Sequence, residues 1–377
     1  MRLIKDWLKI VNDIYFYPDM IANGFSKKQI EKVDEFRKVM LLRKKGISIA
    51  KIARALNIPQ PRVFGWICEK KCPPTINAIE IAKRRGWLPL STKNEKFITI
   101  LDVFTWIFGD GNLKARRNVT LFGQRKDLEK ISSRIRKDFG FECKIKEDPG
   151  PENKNNSTNT CRLIIKGRHS CLFSRLLIAL GAPEGNKVKN CFLLPSWIFE
   201  LKPELKKRFL ETFLSNEISI SIEPKYTPNI EIKMRKMKKI SENLIDFLNQ
   251  IRLLLLEFNI KVSEARAIEE IKEKDGIRHV VQIKILKRLT NILKFSKSFK
   301  LIFADNKQNK LEFIKNSTEM KIRKHLKDVE NFEKAMKLRN SGLGYIRVAR
   351  LLNLNKWLVK GWLYDGRKPV FLTRRND

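Results

Sequence analysis

Two apolar stretches in the middle of the chain each end in an acidic residue. Residues 96–111 read KFITILDVFTWIFGDG, where Asp110 stands between two glycines. Residues 206–218 read KKRFLETFLSNEI, where Glu217 is the penultimate residue. Both stretches have the apolar character of buried helices. Because an isolated carboxylate is costly to bury unless it meets a cation, each acid requires a positive charge nearby.

These helices resemble the two signature helices of the LAGLIDADG homing endonucleases. In that motif the eighth position is a catalytic acid, and the third and seventh positions are small. The matching residues are Thr105, Gly109 and Asp110 in segment 103–111, and Thr212, Asn216 and Glu217 in segment 210–218. Small residues four apart share one helix face. Two such faces can pack closely and bring both acids together at the end of a pseudo-twofold axis.

The segments that follow each acid predict the same order of elements twice. After each apolar helix, the patterns indicate two strands, a helix, two further strands and a last helix, which gives αββαββα. The resemblance covers about residues 97–303 and implies an α+β fold in which two repeats form a pseudo-twofold saddle. We predict the first repeat with its connector at 97–200 and the second repeat at 201–303.

The resemblance implies metal-dependent hydrolysis of phosphodiester bonds. Mg²⁺ (or Mn²⁺) prefers hard carboxylate oxygens, and a metal held against a phosphate acts as a Lewis acid. We expect Asp110 and Glu217 to be both catalytic acids and metal ligands. Backbone carbonyls of Gly109 and Asn216 are expected to complete the ligand sets.

Basic residues near such acids would position water and offset charge in the transition state. By analogy with the family, Lys166 and Lys284 are the candidates, because both stand at the ends of predicted fourth strands. The alternative is that they bind phosphate or are plain surface lysines. The second motif departs from the family pattern at Ile218, where glycine is usual. Glycine there would permit a positive φ that isoleucine disfavours.

The two ends of the chain are copies of each other. The segment from Leu42 to Pro73 aligns without a gap on the segment from Leu338 to Pro369, with eleven identical positions. Each copy predicts three helices separated by a Gly-containing turn and an Asn-initiated turn, as in a helix-turn-helix module. The third helix of such a module lies in the major groove. The predicted DNA contacts there are Gln60, Arg62, Phe64, Lys356, Trp357 and Lys360.

The remaining domain boundaries follow from these units. We predict an N-terminal helical segment at 1–30, a helix-turn-helix domain at 31–90, a linker at 304–330 and a second helix-turn-helix domain at 331–377. The alternative is that the terminal units are merely small three-helix packing units. Their excess of Lys and Arg over acids argues for DNA binding instead.

Alternating residues on the predicted strands indicate sheets with one wet, basic face. In one strand Cys161, Leu163 and Ile165 fall on the opposite side from Arg162. In another, apolar residues alternate with Glu231, Lys233 and Arg235. A twisted sheet of this kind can lie in a major groove, so Arg162, Lys233 and Arg235 are predicted DNA contacts. The alternative is a simply solvated face.

Composition favours a polyanionic partner. The chain has 377 residues and a formal net charge of +38, which is self-repelling unless a polyanion neutralises it. No apolar run approaches the roughly 18 residues of a membrane span. Six irregularly spaced cysteines fit reduced thiols in a cytoplasmic protein. Because both repeats lie in one chain, we expect a monomer bound to double-stranded DNA, without membrane.

Three functions are compatible with these patterns. The first is a free-standing homing endonuclease whose terminal modules lengthen the DNA site. The second is a non-cleaving DNA-binding transcription regulator that keeps a degenerate LAGLIDADG domain. The third is an RNA-splicing maturase, although no RNA-specific motif is visible. An intein is not expected, because the chain has no Cys or Ser at its start and no His-Asn ending.

Overall fold

The structure is a computed structural model that describes residues 27–87, 90, 92–113, 118–148, 160–222 and 228–373. Most of the predicted N-terminal helical segment, residues 1–26, lies outside the described residues. The described chain combines helices with two small antiparallel sheets, so the predicted α+β class is confirmed. Within those same ranges, no helix combines the length and the hydropathy needed to cross a membrane.

Four helices come first, and three of them pack around a small apolar core. They are α1 (Lys27–Lys44), α2 (Ile49–Leu56), α3 (Gln60–Ile67) and α4 (Pro74–Arg84). Asn57 follows α2 in the left-handed conformation, with φ 50°, and turns the chain towards α3. Asparagine tolerates this conformation better than most residues. The core consists of Val39, Ile52, Ala53, Ile58, Val63 and Trp66.

The central region repeats one order of helices and strands. The first half runs α5 (Phe97–Phe108), β1 (Gly111–Asn112), β2 (Thr120–Gln124), α6 (Arg125–Phe139), β3 (Glu142–Glu147), β4 (Thr160–Lys166) and α7 (Ser170–Ala179). The second half runs α8 (Pro203–Glu217), β5 (Ile218–Ser221), β6 (Asn229–Met237), α9 (Ser241–Glu257), β7 (Arg266–Glu273), β8 (Gly276–Lys284) and α10 (Leu289–Ser298). A 3-10 turn, Ser196–Glu200, lies in the connector between them.

The two sheets have equivalent strand orders, β1-β2-β4-β3 and β5-β6-β8-β7. In β4 the alternation is as predicted, because Cys161, Leu163 and Ile165 are buried and Arg162 is exposed. In β6 the polar face differs from the prediction at Glu231, which is buried. Nε2 of Gln282 donates to this carboxylate at 2.7 Å, which compensates part of the cost of burying it.

Helices α5 and α8 pack against each other at the centre of the fold. Every residue of α5 except Ile98 is buried, as its predominantly apolar sequence requires. Phe209 and Phe213 are fully buried on α8. Each fully buried phenylalanine contributes about 1.5–3 kcal/mol. This packing fixes the positions of the two helix ends that carry the acids.

The described chain divides into two compact units. The first contains the described residues up to Ser219, with Ile230–Lys284 and Phe299–Gln308. The second contains Ile220–Asn229 and Ile285–Ser298, and the described residues from Asn309 onwards. The predicted linker at 304–330 is helical and belongs to α11 (Asp305–Asn340), in which the boundary between the units falls.

The second unit ends in a copy of the N-terminal helices. After α11 come α12 (Tyr345–Leu352), α13 (Lys356–Leu363) and α14 (Val370–Thr373). Asn353, with φ 51°, repeats the left-handed turn of Asn57. The core consists of Ala335, Val348, Ala349, Val359 and Trp362. The sequence repeat is therefore also a repeat of turn geometry and of core residues.

Candidate active site

The two acids lie where the carboxyl ends of α5 and α8 approach each other. Asp110 stands two residues beyond the last residue of α5, and Glu217 is the last residue of α8. A Cβ atom on Gly109 would lie only 2.7 Å from Oε1 of Glu217 and 3.1 Å from Cβ of Asn216. Glycine at this position therefore allows the carboxyl group of Glu217 to lie against the backbone next to Asp110.

A lysine side chain holds the carbonyl groups at each of these helix ends. Nζ of Lys187 donates to the carbonyl oxygens of Ile107, at 2.8 Å, and Gly109. Nζ of Lys307 donates to those of Ser215, at 2.9 Å, and Asn216, at 2.6 Å. The last carbonyls of a helix lack intrahelical donors and carry partial negative charge, so a cation is favoured there. The residue before each acid, Gly109 or Asn216, therefore has a carbonyl group that already accepts a hydrogen bond from a lysine ammonium group.

Burial and mutual repulsion raise the pKa of the acid pair. Burial is the main cause for Glu217, the neighbouring Asp110 adds to it, and the pKa of Glu217 reaches about 8. Burial by the surrounding protein also raises the pKa of Asp110, although its side chain remains accessible to solvent. The charges of Lys187 and Lys307 oppose both shifts. At neutral pH, without another cation, the pair therefore retains a proton.

A cavity of about 370 Å³ opens beside Asp110. Its wall includes the aromatic residues Trp106 and Phe303 and the polar residues Asn216 and Lys307. This volume lies near the lower limit of ligand pockets, which span roughly 300–1,000 Å³. The cavity gives a bound group access to Asp110, to the side chain of Asn216 and to Lys307.

A second buried carboxylate, Asp102, fixes α5 relative to its neighbours. Nε and Nη2 of Arg208 donate to it at 2.7 and 2.6 Å. Nη1 of Arg134 and Oγ1 of Thr212 donate at 2.8 and 3.0 Å. Burial raises the pKa of Asp102 to about 6, against the effects of Arg208 and Thr212, so the group is ionised at neutral pH. Because its partners satisfy it, we interpret this cluster as structural.

The structure places two lysines other than the predicted ones at the helix ends beside the acids. Lys166 lies at the end of β4, opposite Glu142 of β3. Nζ of Lys284 lies 3.7 Å from Oε2 of Glu231. The ammonium groups that hold the helix ends are those of Lys187 and Lys307 instead.

Sequence reasoning missed Lys187 and Lys307, although a weak signal exists. Each follows an asparagine, Asn186 or Asn306. Lys187 lies eight residues beyond the end of α7, and Lys307 lies nine residues beyond the end of α10. The two lysines therefore occupy corresponding places after the last helix of their own half.

The predicted DNA contacts on the sheets and on the N-terminal module are exposed. Arg162, Lys233 and Arg235 are exposed on β4 and β6, and Nζ of Lys233 lies 2.5 Å from Oε1 of Glu231. Gln60, Arg62 and Phe64 are exposed on α3. Nη1 of Arg62 also pairs with Glu35 at 3.3 Å. Apart from these two acid pairings, the side chains are open to a partner.

The predicted contacts on the C-terminal module form a cation–aromatic group. Lys356 and Trp357 are exposed on α13, and Lys360 is half-buried. The ammonium groups of Lys356 and Lys360 lie 5.2 and 5.7 Å from the centroid of the Trp357 ring. Such pairs are mutually stabilising at these distances.

Two carboxylates are available to a metal ion at the helix ends. The described residues contain no group of three or more His, Cys, Asp and Glu side chains that could hold one. The carbonyls of Gly109 and Asn216, predicted as further ligands, accept hydrogen bonds from lysines. The acid pair nevertheless suits a hard divalent cation. The raised pKa of Glu217 indicates that the two lysines do not fully compensate the negative charge of the pair.

No family model matches the chain. It is 30% identical over 214 residues to the tRNA-splicing ligase RtcB of Methanocaldococcus jannaschii, which is 52% of this chain and 21% of that protein. It is 28% identical over 220 residues, or 53% of this chain and 16% of the other, to the DNA-directed RNA polymerase subunit Rpo1N of the same organism. The chain spans about a fifth or less of the length of these curated relatives.

Among solved structures, the chain is similar to the homing endonuclease I-DmoI. The complex of I-DmoI with DNA and Ca matches with a TM-score of 0.33 and 12% identity, over 54% of this chain and 88% of that chain. The complex with DNA and Mn matches with a TM-score of 0.31 and 13% identity, over 54% and 97%. At such TM-scores the fold assignment rests on the helices and strands described above.

Proposed function

We propose that this protein is a sequence-specific endonuclease of the homing type, which hydrolyses phosphodiester bonds of double-stranded DNA with Mg²⁺ or Mn²⁺. The pair Asp110 and Glu217 carries the proposal. Each acid lies at the carboxyl end of the first helix of a repeated helix–strand order, and the two helix ends approach at Gly109. Because one acid comes from each half, each acid can lie near one strand of a duplex, which suits cleavage of both strands.

In this proposal Asp110 and Glu217 would hold the divalent metal, which would supply Lewis-acid activation of the phosphate when bound. Hydrolysis forms a bond between a water oxygen and phosphorus, breaks one bridging P–O bond and transfers a proton to the leaving oxygen. Gly109 keeps the two carboxyl groups together. Lys187 and Lys307, at the helix ends, offset part of the negative charge that develops on the phosphate.

DNA binding is assigned to the basic surfaces. We propose that the regions 97–200 and 201–303 are the two repeats, whose sheets form a saddle on the duplex through Arg162, Lys233 and Arg235. The domains 31–90 and 331–377 act as helix-turn-helix modules that extend the site. A net charge of +38 supports a long polyanionic partner. Because both acids come from one chain, a monomer suffices.

The curated relatives add support of a different kind. Their names describe an RNA ligase, an RNA polymerase subunit and the small subunit of a replication factor. The match covers only 13% to 21% of each of these three proteins. A segment shared by such different proteins cannot account for all of their activities. It is better explained as a separable module, which agrees with a mobile endonuclease.

A non-cleaving transcription regulator is the second candidate. It is favoured by the lysines, because Lys187 and Lys307 occupy the helix-end carbonyls at which further metal ligands were expected. Retention of both acids favours the nuclease, since carboxylates without a metal repel DNA phosphates.

The test is to select DNA sites bound by the full chain without divalent metal, and then to add Mg²⁺ or Mn²⁺ to the tightest site. We expect cuts in both strands that depend on the metal and that disappear in Asp110→Asn. Specific binding without strand scission in either metal would reject the endonuclease and support the regulator.

A further inference from the structure

The side chain of Asn216 contains a buried hydrogen-bond donor that has no acceptor. Among the described residues, Nδ2 of Asn216 is one of only two buried side-chain polar atoms without a hydrogen-bond partner. Leaving such a group unpaired costs about 1–3 kcal/mol. Asn216 directly precedes Glu217 and also lines the cavity beside Asp110. Because this atom is closed to solvent, the Asn216 side chain has to turn towards the cavity before an acceptor that arrives with a ligand can pair with it.

The corresponding residue of the other half cannot supply such a donor. Gly109 has no side chain, and a Cβ there would lie 3.1 Å from Cβ of Asn216. The two helix ends therefore share their acids and their lysines but differ in one amide group. Any contact made by that amide is confined to one half of the site.

The groups around the cavity indicate what the acceptor is. Lys307 lines the same cavity and holds the carbonyl of Asn216, so a positive charge and a neutral donor lie on one wall. Asp110 lines the cavity as well, so an anion binds there more weakly without the bound metal of the proposed function than with it. A phosphodiester oxygen, which is anionic and accepts strong hydrogen bonds, fits this combination.

We propose that the Asn216 amide donates a hydrogen bond to a non-bridging phosphate oxygen of one DNA strand, and that the two strands are therefore cut by unequal halves of the site. The inference rests on the proposed endonuclease function, and it names a substrate contact that the motif resemblance does not imply. The strand that lies in the cavity receives this contact, and the other strand meets Gly109 instead.

Asn216→Ala tests this with each strand of the selected duplex separately labelled. We expect the cutting rate of one strand to fall by about a hundredfold, as for other preorganised donors. The rate of the other strand should change by less than about threefold, so nicked duplex accumulates. The matched control is Asn249→Ala in α9. It removes a side-chain amide whose oxygen accepts a hydrogen bond from the backbone N–H of Ala265 at 3.2 Å. Its two strand rates should both match the wild type.

Two further measurements keep the proposal independent of cutting. Without divalent metal, Asn216→Ala should bind the selected duplex roughly tenfold more weakly, and Asn216→Asp more weakly still, because a carboxylate repels phosphate. Thermal stability of Asn216→Ala should equal or exceed that of the wild type, since the amide it removes is unpaired.

The outcomes separate the two proposals. If the wild type cuts both strands and Asn216→Ala slows neither strand, or both equally, the inference about Asn216 is wrong and the endonuclease stands. If the wild type cuts neither strand, the endonuclease is rejected, and the metal-free affinities alone decide whether Asn216 contacts DNA. Unchanged affinity in that case would assign the amide to an ordered water molecule.

Discussion

The carboxyl ends of α5 and α8 each carry an acid and a lysine-bound carbonyl, but the lysines come from different kinds of segment. At both ends an acid lies at the carboxyl end of a buried helix. The carbonyl of the residue before each acid accepts a hydrogen bond from a lysine that follows the last helix of the same half. Lys187 lies in the connector between the halves, whereas Lys307 lies in the first turn of α11. The charge pattern is thus reproduced although the supporting segments differ.

The residues after the two acids show why the halves tolerate different sequences. A Cβ on Gly111 would lie 2.7 Å from Cα of Ile107, so glycine is required there by a close backbone approach. Ile218 has φ −71° and ψ 137°, and it leads directly from α8 into β5. The departure of Ile218 from the family pattern therefore costs no backbone strain. The glycine that follows the acid in the motif is therefore sterically required at Gly111 but not at Ile218.

The largest expected effect comes from the acids. Asp110→Asn and Glu217→Gln should each reduce metal-dependent cutting below detection, because each removes a carboxylate that the proposed metal site needs. DNA binding without metal should be tighter in Asp110→Asn, because a negative charge is lost, and unchanged in Glu217→Gln, because Glu217 is the acid that holds the proton at neutral pH. Gel-based cutting and binding assays on the selected duplex measure both quantities.

Asp246→Asn, at an exposed position of α9, is the control for the acids and should cut and bind as the wild type does. Loss of DNA binding in both acid variants, with intact folding, would contradict the metal-site role. If only one variant loses activity, the two helix ends are not equivalent in chemistry.

The second prediction concerns the residues after the acids. Gly111→Ala should lower the free energy of unfolding by about 1–3 kcal/mol, because the new methyl group overlaps the backbone of Ile107. Ile218→Ala should lower it by about 2–5 kcal/mol, because Ile218 is buried. Urea unfolding of the full chain measures both. In the control Gly123→Ala, the nearest atom lies at an ordinary 3.5 Å, so a change within about 0.5 kcal/mol is expected.

Sequence patterns located most helices and strands of the central region because those features depend on local order, but residues 305–330, predicted as a linker, are helical. The predominantly apolar residues of α5 predicted that this helix is buried, and alternation in β4 separated Leu163 from Arg162. The asparagines at 57 and 353 predicted turns at equivalent places, and both residues adopt the left-handed conformation there. In each case the structure is determined by interactions between residues that are close together in the sequence.

The lysines of the site were not predictable in the same way. Lys187 is 77 positions from Asp110, and Lys307 is 90 positions from Glu217. In a chain with 79 Lys and Arg residues, a preceding asparagine is too weak a local signal to single out the two lysines that hold the carbonyls beside the acids. Their selection depends on how the connector and the first turn of α11 pack, which is a tertiary property.

The third prediction tests whether those two lysines are equivalent. Lys187→Met and Lys307→Met should each lower the free energy of unfolding by about 1–3 kcal/mol, because each leaves two helix-end carbonyls without their donor. The control is Lys189→Met, which removes a surface pair with Asp275 at 3.1 Å and should cost less than about 1 kcal/mol. If one site variant behaves like Lys189→Met, the equivalence of the two ends fails.

The last prediction is a pH dependence of stability that distinguishes the two acids. The pKa of Glu217 is about 8 in the folded chain, against 4.5 for an ordinary glutamate. Between these values the folded protein holds a proton that the unfolded chain has released, so the free energy of unfolding falls as pH rises. The slope is at most about 1.4 kcal/mol per pH unit.

Urea unfolding in EDTA from pH 5 to pH 9, expressed as the difference between variant and wild type, isolates this contribution. Glu217→Gln should remove the slope. Asp110→Asn should only shift its upper limit to lower pH, because the repulsion that raises the pKa of Glu217 is gone while burial remains. Identical profiles for Glu217→Gln and the wild type would mean that Glu217 is ionised throughout. The lysines alone would then compensate both acids, and the site would hold no proton for an incoming cation to displace.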